Sequence, residues 1–190
     1  GMMSLVTDIK EDAEWLIRMV ENILTVTRIS EETGTISKTP EAAEEIISEA
    51  VMKFRRRYDV PVEITIPDEL MLIPMDAILI EQVIVNLLEN SVLHGKTTTL
   101  IKLTLSSDGE NAVFSVADNG SGINEKKLPM LFSGYFIHAE EQSGDVKRNM
   151  GIGLSVCLTI IKAHGGTMTA GNLPEGGAEF TFTLPLERTL

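Results

Sequence analysis

The run Asp118-Asn119-Gly120-Ser121-Gly122-Ile123 sets a carboxylate ahead of two glycines one residue apart. It directly follows Ala112-Val113-Phe114-Ser115-Val116-Ala117, which reads as a buried strand. A carboxylate at a strand end can accept a hydrogen bond from an exocyclic amine, such as N6 of adenine. The glycines let the backbone turn sharply and come close to a ligand. The alternative is a carboxylate that only caps a turn. Asn86 and Asn90 stand four apart on a mostly apolar segment, and so on one helical face. Asparagine is a poor mid-helix residue, because its amide competes with the backbone. An amide oxygen suits Mg²⁺, which keeps several waters and bridges to nucleotide phosphates. The alternative is that these amides satisfy buried backbone groups. Gly151 and Gly153 open an apolar helix, where free N–H groups can meet a phosphate or merely mark a tight entry.

Such residues need elements to hold them. From about Leu5 to Ile29 the sequence predicts one long amphipathic helix. Ile9, Ala13, Leu16, Val20 and Ile23 form a heptad seam, widened by Trp15, Met19 and Val26. Glu11, Asp12, Glu14, Arg18 and Glu21 lie opposite. That face calls for a partner helix, as in a bundle. Gly34 and Pro40 separate this helix from a second, expected over Pro40 to Arg57. Val62, Ile64 and Ile66 alternate with polar residues as a half-buried strand, and Met71 to Ile73 make a short one. A helix is expected over Asp76 to Leu93, with Ile78, Val83, Val85, Leu87, Leu88 and Val92 apolar. Strands over Thr98–Leu105 and Ala112–Ala117 join at the Asp108-Gly109 turn. Residues 124–148 are polar and aperiodic around Pro129, which suggests a functional loop or lid. A helix over Gly151–Ala163 ends at Gly165-Gly166. Strands over Thr167–Ala170 and Ala178–Leu184 flank Gly176-Gly177. The alternation predicts an α+β fold: a two-layer α/β sandwich, its mixed sheet packed on one helical layer, preceded by the long helix.

The 28 acidic residues outnumber 16 basic ones, giving a formal net charge of −12. No cluster of Lys and Arg with interleaved aromatics is present, which argues against nucleic-acid binding. Arg55-Arg56-Arg57 reads as the solvated end of a helix. The lone Cys157 cannot form an internal disulfide and suits a reducing compartment. No signal peptide or long apolar run is evident. Gly1 before Met2 and Met3 reads as a cloning remnant, so a longer natural protein is expected. Gly95-Lys96-Thr97 resembles the tail of a P-loop, but Asn90 stands where the upstream glycine is required. Gly151-Ile152-Gly153 lacks the third glycine of a dinucleotide fingerprint, Val156 standing there. His94, His138 and His164 show no metal-ligand spacing with Cys157.

Together these segments resemble the ATP-binding domain of two-component sensor histidine kinases, within the GHKL ATPase superfamily. Glu81 to Ser91 is similar to the N box, Asp118 to Ile123 to the G1 box, and Leu131-Phe132 with Tyr135-Phe136 to the F box. Asn149 to Leu154 is similar to the G2 box, and His164-Gly165-Gly166 to the usual end of the following helix. The resemblance implies ATP and Mg²⁺ as cofactors. It implies Asn90 as the metal ligand, and Asn86 as a catalytic partner near metal and phosphates. Asp118 would bind adenine N6, with Gly120 and Gly122 flanking the base, and Gly151 and Gly153 would shape the phosphate end of the lid, 124–148. Ile123, Phe132, Ile152 and Leu154 fall in the same boxes and would line the site. Where the family carries Lys or Arg on the phosphate side, this chain has Leu93, leaving His94 or Lys96 for that contact. Asn149 replaces the first glycine of the G2 box.

Glu11 to Leu24 resembles the second helix of the dimerisation and phosphoacceptor hairpin. Residues 1–38 would then be its remnant and 39–190 the catalytic domain. Thr27-Arg28-Ile29 and Lys147-Arg148-Asn149-Met150 are similar to Kdp-type potassium sensor kinases. The family's hydrolytic members carry a glutamate at the position of Asn86, so its absence favours phosphoryl transfer to a histidine. The acceptor histidine is expected before Leu5. Implied partners are a response regulator and a second copy through the hairpin. The implied location is cytoplasmic, in a parent anchored in the bacterial membrane. The alternatives are a non-catalytic nucleotide-binding or dimerisation module, and an ATP-hydrolysing member of the superfamily.

Overall fold

The computed structural model describes residues 1–31, 36–132 and 150–186. The chain runs α1 (Met2–Glu31), β1 (Thr39–Ala42), α2 (Ala43–Arg55), β2 (Val62–Thr65), β3 (Leu72–Met75), α3 (Ala77–Leu93), β4 (Ile101–Ser107) and β5 (Asn111–Asp118). It continues through a 3₁₀ turn (Leu128–Met130) to α4 (Met150–Ala163), β6 (Met168–Asn172) and β7 (Ala178–Pro185). Five strands form one mixed sheet in the order β2-β4-β5-β7-β6, with β2 parallel to β4 and the other pairs antiparallel. The expected α+β sandwich is therefore present.

Alternation builds its core. Ile101, Leu103 and Leu105 of β4, Ala112, Phe114 and Val116 of β5, and Phe180, Phe182 and Leu184 of β7 all point inward. Phe114 and Phe182 stack with ring centroids 4.6 Å apart at the centre. From α2, Ile46, Ile47, Ala50, Val51 and Phe54 are buried. Ile80, Val83, Ile84, Leu87 and Leu88 of α3 and Leu154, Cys157, Ile160 and Ile161 of α4 complete the layer.

Two expectations are corrected. Pro40–Ala42, expected as the start of a helix, belongs to strand β1, which pairs antiparallel with β3, Pro40 facing Pro74. Residues before proline favour extended backbone, and a proline tolerates a two-stranded edge because it has no N–H to lose. Helix α2 therefore starts at Ala43, whose N–H bonds Met71 O at 3.1 Å. Second, β2 is an edge strand on which only Val62 is buried; Ile64 and Ile66 are 39% and 38% exposed, and Ile78 at the start of α3 is also exposed. Helix α1 meets the domain through a face other than its heptad seam. Ile9, Leu16, Val20 and Ile23 are more than half exposed, whereas Asn22 and Ile29 are buried. Thr25 Oγ1 donates to Gln82 Oε1 at 3.0 Å, and Gln82 Nε2 donates to Asn22 Oδ1 at 3.1 Å. A polar stripe thus bonds Gln82 of α3 while α1 packs chiefly along α4, and the heptad seam faces outward.

Candidate nucleotide site

Helix α3 starts on Asp76, whose Oδ1 accepts from Leu79 N at 3.1 Å. The same residue anchors the next helix. Asp76 N–H donates to His164 Nε2 at 3.0 Å, while His164 Nδ1 lies 2.8 Å from Ile160 O. These partners require the neutral tautomer with its proton on Nδ1. Burial holds the His164 pKa below the usual 6.5, opposed by the bond to Ile160 and by Asp76. Farther along, Asn86 Nδ2 lies 3.7 Å from Cys157 Sγ, which in turn lies 4.0 Å from Val83 O. Burial pushes the Cys157 thiol up to about 12, with the Asn86 contact opposing. Helices α3 and α4 are therefore antiparallel. One turn beyond Asn86, at Asn90, the facing stretch of α4 is one turn before Cys157, at Gly153.

Asn90 is 7% exposed, and its buried Nδ2 finds no hydrogen-bond partner among the described residues. Neither asparagine bonds a backbone group through its side chain among the described hydrogen bonds, so the purely structural reading of the pair lacks support. A buried amide left unmatched costs roughly 1–3 kcal/mol, a cost that a bound ligand would relieve. The opposite side of α3 is tied to α2 and its C-terminal end: Glu81 pairs with Lys53, and Glu89 with Arg57 at 3.2 Å. Burial raises the pKa of Glu89, opposed by Arg18 and Arg57. These contacts leave the Asn86–Asn90 face turned toward α4.

Alternation along β5 places Asp118 on the inward face with Ala112, Phe114 and Val116. It is 5% exposed. Its Oδ1 accepts from Gly120 N at 2.8 Å and Ala178 N at 3.4 Å, whereas no described hydrogen bond reaches Oδ2. One oxygen fixes the carboxylate and the other is left for an incoming donor.

The glycines divide into two kinds. A Cβ on Gly120 would lie 2.6 Å from Gly95 O, and one on Gly122, at φ +73°, would lie 2.8 Å from Asn172 Oδ1. Both are required by the protein's own packing, a reason the sequence did not disclose. A Cβ on Gly153 would meet nothing within 4 Å among the described residues, so none of their packing requires glycine there. Gly151 and Ile152 lie in the first turn of α4 and Leu154 is buried behind them. Phe132 and Ile123 pack partly buried against the core, and His94 caps the end of α3 through its N–H to Asn90 O. Ser121 N–H bonds Gly95 O at 2.9 Å, joining the Asp118 loop to the end of α3. Lys96 is exposed at φ 55°. Tyr135, Phe136, Asn149 and most of the expected lid lie outside the described residues.

Sequence reasoning missed three contributors. Asn119 Oδ1 accepts from Thr99 N and Leu100 N, Asn172 grips Ile123, and a Cβ on Gly177 would lie 1.8 Å from Asp118 O. Gly177 was visible only as half of a turn, and nothing local marks Asn172.

Residues 75–188 match the family described as histidine kinase-, DNA gyrase B- and HSP90-like ATPases. The chain belongs to this ATPase family. Sensor protein KdpD of Clostridium acetobutylicum is 38% identical over 184 residues, covering 96% of this chain and 20% of that protein. KdpD of Escherichia coli is 34% identical over 168 residues, covering 88% and 18%. The chain thus spans about a fifth of the length of these relatives. The ATP-binding domain of PrrB from Mycobacterium tuberculosis superposes with a TM-score of 0.65 at 25% identity, covering 80% of this chain and 99% of that one. Within the ATPase family the chain is a catalytic, ATP-binding domain of the sensor histidine kinase type. No described helix is long and apolar enough to cross a membrane.

Proposed function

We propose that this ATPase domain binds ATP with Mg²⁺ and presents the γ-phosphate to a histidine of a preceding helix, for relay to a response regulator. The observation that carries the reading is the pairing of two incompletely used groups: Asp118 Oδ2 and the Asn90 amide. Asp118 accepts the adenine amine, while Gly120 N–H and Ala178 N–H hold its other oxygen. Asn90 Oδ1 would hold Mg²⁺ while its unpartnered Nδ2 donates to a phosphate oxygen, and Asn86, oriented by Cys157, would meet the hydrated metal or the phosphates. Bound Mg²⁺ would offset charge on the phosphate oxygens during transfer. The remaining catalysis is positioning by the chain's own residues. Gly151 and Gly153 leave backbone N–H groups open at the start of α4, where phosphate is favoured. His94 or Lys96 would supply the phosphate-side cation that Leu93 does not.

The division into a hairpin helix (1–38) and a catalytic domain (39–190), a lid over 124–148, and a cytoplasmic setting under a membrane-anchored, Kdp-like parent belong to the same proposal. So does dimerisation through α1, whose outward heptad seam supports it. None of the chain's histidines is proposed as acceptor; His164 already spends both ring nitrogens on backbone groups.

The test is calorimetry with a non-hydrolysable ATP analogue. Binding should require Mg²⁺ and be lost in Asp118→Ala. With ATP alone the chain should form no acid-labile phosphohistidine, but it should phosphorylate a hairpin supplied in trans. No binding at millimolar nucleotide would overturn the reading in favour of a non-catalytic module. Steady phosphate release would instead favour a hydrolase.

A further inference from the structure

We propose that Asn172 is a positioning residue for nucleotide binding, which clamps the Asp118–Ile123 loop from the edge of the sheet. The proposal rests on the loop being the base end of the ATP site. Asn172 ends β6, the last strand of the sheet, whose one partner is β7. Its side chain reaches the Asp118–Ile123 loop beside the β6–β7 hairpin, where Gly122 also nears Gly177 O. Asn172 Oδ1 accepts from Ile123 N at 2.7 Å, and Asn172 Nδ2 donates to Ile123 O at 2.7 Å. A carboxamide carries an N–H donor and a carbonyl acceptor on one carbon, so the amide replaces a strand partner by bonding both N–H and C=O of Ile123.

The contact is matched on the loop side. Gly122 adopts φ +73°, and any Cβ there would lie 2.8 Å from Asn172 Oδ1. Glycine is needed at that position both for its backbone conformation and for the approach of the amide. At the other end of the loop, Asn119 Oδ1 accepts from Thr99 N at 2.9 Å and Leu100 N at 3.1 Å, while Nδ2 donates to Thr99 Oγ1 at 2.8 Å. Two carboxamides thus pin a glycine-rich loop at both ends, with Asp118 directly before it. Gly177, in the hairpin that follows Asn172, packs its backbone on Asp118 O. A loop held this way need not be ordered when the base arrives, and the gain appears as affinity.

The test uses the full 190-residue chain, with calorimetric binding of ATP, ADP and adenosine. Asn172→Ala should weaken all three by about tenfold, leaving the ratio of ATP to ADP affinity unchanged. Asn172→Asp keeps the acceptor but loses the donor, and should show a smaller loss if Asn172→Ala proves too unstable. Thr183→Val removes an exposed hydrogen bond on the same sheet, from Thr167 N at 3.0 Å, and should leave affinity unchanged. Unchanged affinity with a lowered melting temperature in the Asn172 variants would overturn the proposal, as would a loss confined to ATP. If wild type binds none of the three, the nucleotide reading falls and this proposal with it. If wild type binds and the variants match it, only this proposal falls.

Discussion

At the residue scale, the site divides into groups the fold satisfies and groups it leaves unsatisfied. Asp118 and Asn90 should respond differently to substitution. Asp118→Ala should abolish binding of ATP and adenosine alike. Asn90→Ala should weaken ATP in Mg²⁺ by roughly 10²-fold and leave adenosine unchanged, at little cost in stability, because its buried Nδ2 has no partner among the described residues to lose. Calorimetry with each ligand, and thermal unfolding of each variant, checks both. Gly177→Ala should be the costly change. A Cβ 1.8 Å from Asp118 O at a φ of +95° should destabilise the fold by roughly 2–4 kcal/mol in urea unfolding. The motif residues were legible because their types are unusual for their elements: two asparagines mid-helix, a carboxylate ending an apolar strand. Asn172 and Gly177 were not, because their reason for being there is a contact about 50 to 60 residues away in sequence.

At the element scale, α3 and α4 are held antiparallel by one tie at the start of α3, Asp76 to His164, and one at mid-helix, Asn86 to Cys157. The first is the neutral ring of His164 under Asp76 N–H. Its folded pKa lies below 6.5, so the unfolded chain takes up the proton first as pH falls. Stability from this group is full above about pH 6.5 and is lost as pH drops toward the lower folded value. Asp76 and Lys38 are the charged groups acting on it, in opposite senses. His164→Gln should be less stable than wild type at pH 8, with the gap narrowing at pH 5, as read by urea titrations. Long periodic elements such as α3 were legible to within a residue or two. Pro40–Ala42 is illegible as strand because the apolar periodicity of α2 begins immediately after it, at Ala43, and its partner β3 is about 30 residues away. The face by which α1 docks was illegible for a different reason: its polar stripe of Arg18, Asn22 and Thr25 looks like a solvated surface until Gln82 is set opposite.

At the scale of the whole molecule, a seam of Ile9, Leu16, Val20 and Ile23, each more than half exposed, continues beyond the domain that α1 docks on. Isolated apolar side chains on a surface are ordinary, but a heptad row on one helix is an association surface. The chain should therefore associate with rising concentration in analytical ultracentrifugation. Leu16→Glu combined with Val20→Glu should hold it monomeric without changing nucleotide affinity. A monomer at all concentrations for wild type would count against the seam as an interface.

The thiol of Cys157 is the chain's only one, fully buried between α3 and α4 beneath the Asn86 amide. Its high pKa makes it unreactive while the two helices stay together. Each alkylation event therefore records one separation of those helices, which makes the cysteine a built-in clock for native-state opening. Nucleotide that bridges α3 and α4 should slow that clock in proportion to its occupancy, giving a label-and-weigh readout of ligand binding that needs no activity assay.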